Sequence, residues 1–468
     1  MQLGKIVLIT TIALGSTACV KSLSSQTGSQ TASKAATQTT ATSASKAPPT
    51  EYVWLVVGAN NQQYARVVTD ASSCPYIELD NHASQMSQRA KGNQPVNFSE
   101  VISCETAIAA TVKSASVNGT KLNLFNQPPQ KIIVMGDTGC RIKKGDYQNC
   151  NDLPGYGPAW PFAKLAKLVE KANPDLIIHL GDYHYREIPC PAGNEGCAGP
   201  AGMNWPSWQA DFFEPAKPIL AKFPWVLTRG NHEDCERSFR GWFYLLDPAP
   251  LAANLWQTCP DYTQTYPIDL GNLTLIQMDS ATLPNPFNPN INPATVKLYA
   301  NQFDSVNALA DKAKNSWFVT HRPTWAVSSY FDWRNNVDAL ATSDPTMQAD
   351  LKTSKKGRLA ESINLTLSGH MHSFQTMAFD DGQPSALIVG GSGTKLSPAV
   401  NKQAQAEQNE LLATLGVTPP YFYRSADFAY AMLERQPHDA WIVRLVDLNG
   451  KTRESFVLSG KRLERIWE

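Results

Sequence analysis

The sequence predicts a layered α/β fold preceded by a small β-rich N-terminal domain, and three observations carry that expectation. From residue 131 onward, short apolar runs of strand type alternate with helical stretches. Nearly every run stops at a short polar motif, so the polar residues gather just past the strand ends, where open α/β sheets collect ligands. Residues 51–128 hold only short β-like runs, the turn Asn118-Gly119 and two cysteines before Pro128-Pro129.

The elements follow in order. Lys131-Ile132-Ile133-Val134-Met135 reads as a buried strand and runs into Gly136-Asp137-Thr138-Gly139. A helical stretch over 160–172 is stopped by Pro174. The strand 176–180 leads to Gly181-Asp182-Tyr183-His184-Tyr185, and 225–228 leads through Arg229 to Gly230-Asn231-His232-Glu233. Residues 273–278 lead to Asp279-Ser280, 317–320 to His321, and 364–367 to Gly369-His370-Met371-His372. A helix is expected over 401–415, ended by Gly416, and a hairpin around Asn449-Gly450 should complete a sheet of the same domain. Residues 282–295, rich in Pro and Asn, read as a rigid loop or a surface excursion. His179, inside a strand, reads as a core histidine.

The ends and the charge bound the setting. Lys5 precedes the apolar run 6–14 and the small residues Gly15-Ser16-Thr17-Ala18, a secretory leader too short to span a bilayer. Cys19 then resembles the lipidation site of bacterial lipoproteins, although Ser16 stands where Leu is usual; plain cleavage after Ala18 is the alternative. The expected division is therefore 1–18 leader, 19–50 lipidated cysteine and tether, 51–128 small domain and 129–468 catalytic domain. Residues 20–50 carry no acid and no aromatic side chain, and so cannot bury enough apolar surface to order themselves. Lys+Arg and Asp+Glu are equal at 41 each, which favours no polyanionic partner, and nucleic acid is not expected. The membrane is reached only through an anchor at Cys19.

Nine cysteines leave eight once Cys19 is set aside, an even number suited to an oxidising compartment outside the cytoplasm. Nearest-neighbour pairing (74–104, 140–150, 190–197, 235–259) is the simplest of the many connectivities open to eight cysteines. No Cys-x-x-Cys pair exists to favour a thiolate metal cluster. Three of these cysteines fall shortly after Asp137, Asp182 and His232, so local pairing would staple three polar loops.

From the strand-end motifs, Asp137, Asp182, Asn231, Tyr185, His232, His321, His370 and His372 give two carboxylates, an amide, a phenol and four imidazoles. Each motif alone is weak; the set, in this order, has the donor inventory of a two-metal site with one histidine to spare. On these residues, over roughly 131–395, the chain resembles the calcineurin-like metallophosphoesterases and within them the purple acid phosphatases. Gly139 stands where many of the group place a ligand histidine, and Tyr185 matches the position of the purple type's metal-binding tyrosinate.

The resemblance implies an αββα sandwich holding two metals. Asp137, Asp182, Tyr185 and His372 would bind the first, suited to Fe(III). Asp182, Asn231, His321 and His370 would bind the second, a divalent iron, zinc or manganese. His232 would polarise the phosphate or protonate the leaving alkoxide. The implied reaction is phosphomonoester hydrolysis by in-line attack of a metal-bound hydroxide. Sequence proximity offers His184 and Arg322 as substrate contacts, with Tyr183, Arg186 and Arg229 as further candidates. A phosphodiesterase or nucleotide-cleaving enzyme and a non-catalytic surface protein are the alternatives.

Overall fold

The structure, a computed structural model, describes residues 49–250, 258–284, 292–332, 337–342, 344–398, 412–413 and 422–466. The leader, the tether and the expected helix over 401–415, apart from residues 412–413, lie outside the described residues, as does the middle of the loop over 282–295.

Two sheets face each other. The larger has eleven strands among the described residues, with Lys131–Met135, Leu176–His179, Pro224–Leu227 and Glu51–Val57 parallel at its centre. The second has seven, with Thr274–Gln277, Ser316–Val319, Ile363–Ser368 and Ser385–Val389 parallel. Period-two alternation decides which side chains go where. In the first catalytic strand Ile132 and Val134 point between the sheets, where they meet Leu275, Trp317, Leu365 and Leu387. Ile133 and Met135 point outward to a layer containing the helices Phe162–Ala172 and Glu214–Leu220. The outer face of the second sheet is covered by Pro293–Ala310, through Phe303 and Val306. Each central strand is thus apolar on both faces, which is why these runs read as continuously hydrophobic. The result is the expected αββα layering.

The helix Phe162–Ala172 ends at Asn173, whose left-handed backbone (φ 48°) lets its N–H reach the Val169 and Glu170 carbonyls before Pro174. The expected C-terminal hairpin forms: Trp441–Asp447 pairs with Thr452–Ser459, and Ala429–Arg435 joins it to the first catalytic strand.

Residues 51–128 are β-rich as expected, but their strands go to two places. Tyr76–Leu79, His82–Gln85, Ala115–Val117 and Thr120–Leu122 form a four-stranded sheet. Glu51–Val57 instead pairs in parallel with Pro224–Leu227, and Gln63–Thr69 and Ile102–Ile108 continue that sheet outward.

All four nearest-neighbour disulfides are present: Cys74–Cys104, Cys140–Cys150, Cys190–Cys197 and Cys235–Cys259. Four disulfides suit an oxidising, extracytoplasmic compartment. No helix among the described residues is long and apolar enough to cross a membrane.

Candidate metal centre

Strand ends from both sheets deliver the polar motifs to one place. The turn out of each strand is sharp: Asp137 (φ 57°), Asp182 (φ 58°) and His370 (φ 68°) all sit in the left-handed region. For residues other than glycine this costs about 1–3 kcal/mol each and persists only where the surroundings enforce it. Backbone bonds from Asp137 N–H to the Gly181 carbonyl (2.9 Å) and from Thr138 N–H to the Asp182 carbonyl (3.0 Å) lock the first two turns together.

The donors converge around two focal atoms. The Tyr185 hydroxyl lies 2.7 Å from Asp182 Oδ2, 3.1 Å from Asp137 Oδ1 and 3.1 Å from His372 Nε2. The Asn231 amide oxygen lies 2.7 Å from His370 Nδ1 and 2.9 Å from His321 Nε2, and His321 Nε2 is 3.3 Å from Asp182 Oδ2. Donor atoms of Asp182, His321 and His370 all lie within 4.8 Å of one another. Asp137, Asp182, Tyr185 and His321 are buried, whereas Asn231, His370 and His372 are partly exposed and form the open side.

These atoms fit cations better than they fit each other. His321 Nδ1–H donates to the Leu180 carbonyl (2.7 Å), which turns its Nε2 inward, and His372 Nδ1–H donates to the Lys395 carbonyl (2.9 Å), which leaves its Nε2 lone pair pointing inward. The His372 lone pair therefore meets a phenol oxygen that has one proton to share among three acceptors. Lone pairs that face lone pairs are the arrangement a bound cation would satisfy.

The electrostatics show the same tension. Burial, with the charge of Asp182, pushes Asp137 well above the usual carboxylate range, against the pull of His321. Burial would raise Asp182 as well, yet the imidazoles of His321 and His232 hold it well below. Burial followed by Asp182 and Asp137 pushes the Tyr185 phenol well up. Burial opposes charge on His321, but Asp182 outweighs it and lifts that ring to about 9.

Two glycines are required by close approach. A Cβ at Gly230 would stand 2.1 Å from Asp182 Oδ1. At Gly139 it would meet the Tyr183 carbonyl at 2.7 Å, and the Tyr185 ring and N–H at 2.9 Å. The Tyr185 ring therefore packs against the space a side chain at 139 would need.

His232 stands beside this cluster, its ring 3.8 Å from that of Tyr185 and its Nε2 4.0 Å from Asp182 Oδ2. Its Nδ1 is 2.7 Å from Glu187 Oε1. Burial would raise Glu187, but its contacts with His232 hold it down at about 2.

Sequence proximity missed Glu187 and two further acids. Glu233 accepts hydrogen bonds from the N–H groups of Asp182 (3.1 Å), Gly230 (3.1 Å), Tyr183 (3.0 Å) and His184 (3.2 Å). Asp211, from a helical segment, accepts from Cys140 N–H, Tyr185 N–H, Arg186 N–H and Arg186 Nε. Glu233 and Glu187 were within or beside quoted motifs; Asp211 had no local signal.

The two proposed substrate contacts are engaged elsewhere. His184 is buried, with Nε2 3.0 Å from the Gly202 carbonyl and its ring stacked on Trp208. Arg322 is buried with its guanidinium on Asp344 and the Leu283 carbonyl. Neither hydrogen-bonds the donor cluster among the described residues. Arg229 is held by the Glu233 and Pro260 carbonyls and Asp279, Arg186 by Asp211, and Tyr183 donates to the Thr228 carbonyl. His179 is the core histidine expected, paired with Thr138 and with Gly181 N–H.

The Calcineurin-like phosphoesterase profile matches residues 130–374, just over half of the chain and all of the donor motifs. The chain belongs to the calcineurin-like phosphoesterase family. Among solved structures it is similar to a purple acid phosphatase from yellow lupin (Lupinus luteus) seeds, with TM-score 0.54, 13% identity, and coverage of 88% of this chain and 74% of that one. It is also similar to PhoD, with TM-score 0.52, 12% identity, and coverage of 89% and 91%. At these identities the likeness is one of fold. A curated barley (Hordeum vulgare) protein named nucleotide pyrophosphatase/phosphodiesterase is 26% identical over 193 residues. That match takes in 36% of this chain, which spans less than half (44%) of the barley protein.

Proposed function

We propose that the protein is an extracytoplasmic acid phosphatase of purple type that hydrolyses phosphomonoesters, tethered to a membrane through a lipidated Cys19. The observation that carries the type is the Tyr185 hydroxyl set among Asp137, Asp182 and His372, beside a Gly139 that leaves no room for the usual histidine.

Asp137, Asp182, Tyr185 and His372 would hold Fe(III), and Asp182, Asn231, His321 and His370 a divalent ion, with Asp182 shared. When bound, two cations polarise the phosphate and make water a stronger nucleophile. The chain's own residues supply the rest. His232 presents Nε2 toward the cluster while Glu187 Oε1 faces its Nδ1, so the carboxylate orients the ring whose Nε2 would give a proton to the leaving oxygen. Glu233 and Asp211 fix the loop that carries Asp182 and Tyr185 from behind. No serine or cysteine nucleophile is needed, and Cys140 is tied up in its disulfide.

The test is Tyr185→Phe. The wild-type protein should purify coloured and with iron, and the variant should lose both; a variant that keeps its colour and iron ends the purple-type assignment. The barley relative's name favours a second reading, a phosphodiesterase or nucleotide-cleaving enzyme. Rates on a monoester and a diester, measured side by side, separate the two. For the anchor, mass spectrometry of the mature protein should find Cys19 modified, and a secreted form with no lipid on Cys19 refutes it.

A further inference from the structure

Beside the turn that carries Asn231 and His232 stands a disulfide unlike the other three. Cys74, Cys104, Cys140 and Cys197 are buried, so each of the other bridges has at least one shielded half. Cys235 and Cys259 are both partly exposed. A thiolate attacking the open half of Cys140–Cys150 or Cys190–Cys197 would have to expel a buried thiolate, and burial makes that a poor leaving group.

At Cys235–Cys259 the surroundings favour departure. The buried Arg229 turns Nη2 to both sulfurs, 3.4 Å from Cys259 Sγ and 3.7 Å from Cys235 Sγ. A cation beside a sulfur favours its thiolate, and a thiol of lowered pKa leaves faster. The Cys259 backbone also lies in the left-handed region (φ 34°), which a residue other than glycine holds only where its surroundings enforce it. Cutting the bridge removes one such constraint.

The same guanidinium braces the turn. Its Nε donates to the Glu233 carbonyl (2.9 Å), and its Nη1 to the Pro260 carbonyl (3.2 Å) and to Asp279 Oδ2 (3.2 Å). Beyond Asn231–Glu233 the chain is held by Asp234 N–H on the Asn231 carbonyl (3.3 Å) and by Ser238 N–H on the His232 carbonyl (3.1 Å), with Cys235 between them. Residues 231–238 and 259–260 are thus clipped together at two points, the bridge and Arg229.

We propose that Cys235–Cys259 is a site of thiol–disulfide exchange with low-molecular-weight thiols, and that opening it loosens the turn holding Asn231 and His232 and lowers activity. Only the effect on activity rests on the hydrolase reading above; the exchange itself does not. A thiolate attacks Cys235 Sγ, the Sγ–Sγ bond breaks, and Cys259 leaves as a thiolate toward Arg229 Nη2. A second thiol attacks the mixed disulfide at its outer sulfur and expels Cys235, and the protons of the two thiols end on the two cysteines. The protein disulfide gains two electrons, and the two thiols are oxidised to their own disulfide.

The experiment exposes the full-length, metal-loaded protein to reduced glutathione and follows alkylation of the freed cysteines by mass spectrometry. Cys235 and Cys259 should be labelled roughly tenfold faster, or more, than the cysteines of the other three bridges. Another pair labelled first overturns the site. As label enters, kcat/KM on p-nitrophenyl phosphate should fall roughly tenfold and recover with oxidised glutathione; activity within about twofold of untreated protein overturns the effect. Amide exchange over residues 231–238 should quicken in step, and unchanged exchange in labelled protein overturns the loosening. If no ester is hydrolysed, the hydrolase reading fails, and amide exchange alone decides. Cys190→Ser with Cys197→Ser should keep the whole thiol response, whereas Cys235→Ser with Cys259→Ser should abolish it; a response that survives the second pair of substitutions overturns the proposal.

Discussion

Glu233→Gln tests whether the metal site is held from behind by a buried carboxylate. The four N–H groups it receives belong to Asp182, Tyr183, His184 and Gly230, so one side chain sets the loop carrying the shared carboxylate and the turn before Asn231. Burial and the neighbouring charge of Asp182 push Glu233 up to about 8, yet all four partners are donors and none could accept a carboxyl proton. Glutamine keeps the shape but supplies one oxygen, and its NH2 then faces two N–H donors. Each buried donor left unpaired costs about 1–3 kcal/mol, so the variant should lose about 2–6 kcal/mol of stability. Because the displaced groups carry Asp182 and Asn231, metal content and kcat/KM should fall with it. Urea unfolding and metal analysis of the purified variant provide the assay. A Glu233→Gln protein within about 0.5 kcal/mol of wild type and fully metallated would refute the reasoning.

Further outcomes follow from single contacts. Gly139→Ala forces a methyl against the Tyr183 carbonyl and the Tyr185 ring, at a cost of about 1–3 kcal/mol; unchanged iron content together with an unchanged urea midpoint would defeat it. Glu187→Gln removes the carboxylate that faces His232 Nδ1 and should lower kcat roughly tenfold or more with little change in KM. Activity within about twofold of wild type removes Glu187 from the mechanism. Asp247 is buried and pushed up to about 6, chiefly by burial. A raised carboxylate stabilises the fold fully only below its ordinary value near 4, and that stability is lost as pH rises through about 6. Asp247→Asn should therefore be up to about 3 kcal/mol more stable than wild type near pH 7 and no more stable near pH 4. Denaturation at the two pH values checks this, and a gain of equal size at both would count against it.

What the sequence made legible was local. Lys131–Met135 is apolar at every central position because both its faces are covered, and Asp137 follows it in the chain, so strand and ligand could be read together. The local disulfides were equally readable, since each joins nearest neighbours. What could not be read was set by distance in sequence. Asp211 reaches Tyr185 across 26 residues from a helix whose pattern reports only its packing. His184 and Arg322 adjoin ligands in the chain, but their side chains are engaged by the Gly202 carbonyl and by Asp344. Glu51–Val57 is the instructive case. Val53 to Val57 are buried on both alternations, the mark of a strand covered on both faces, yet its parallel partner lies about 170 residues on. A small domain of its own could cover only one of those faces. The same apolar run that suggested an independent β-rich unit therefore already required a second layer, and the helical segment carrying Phe213 supplies it, its ring 5.3 Å from that of Trp54.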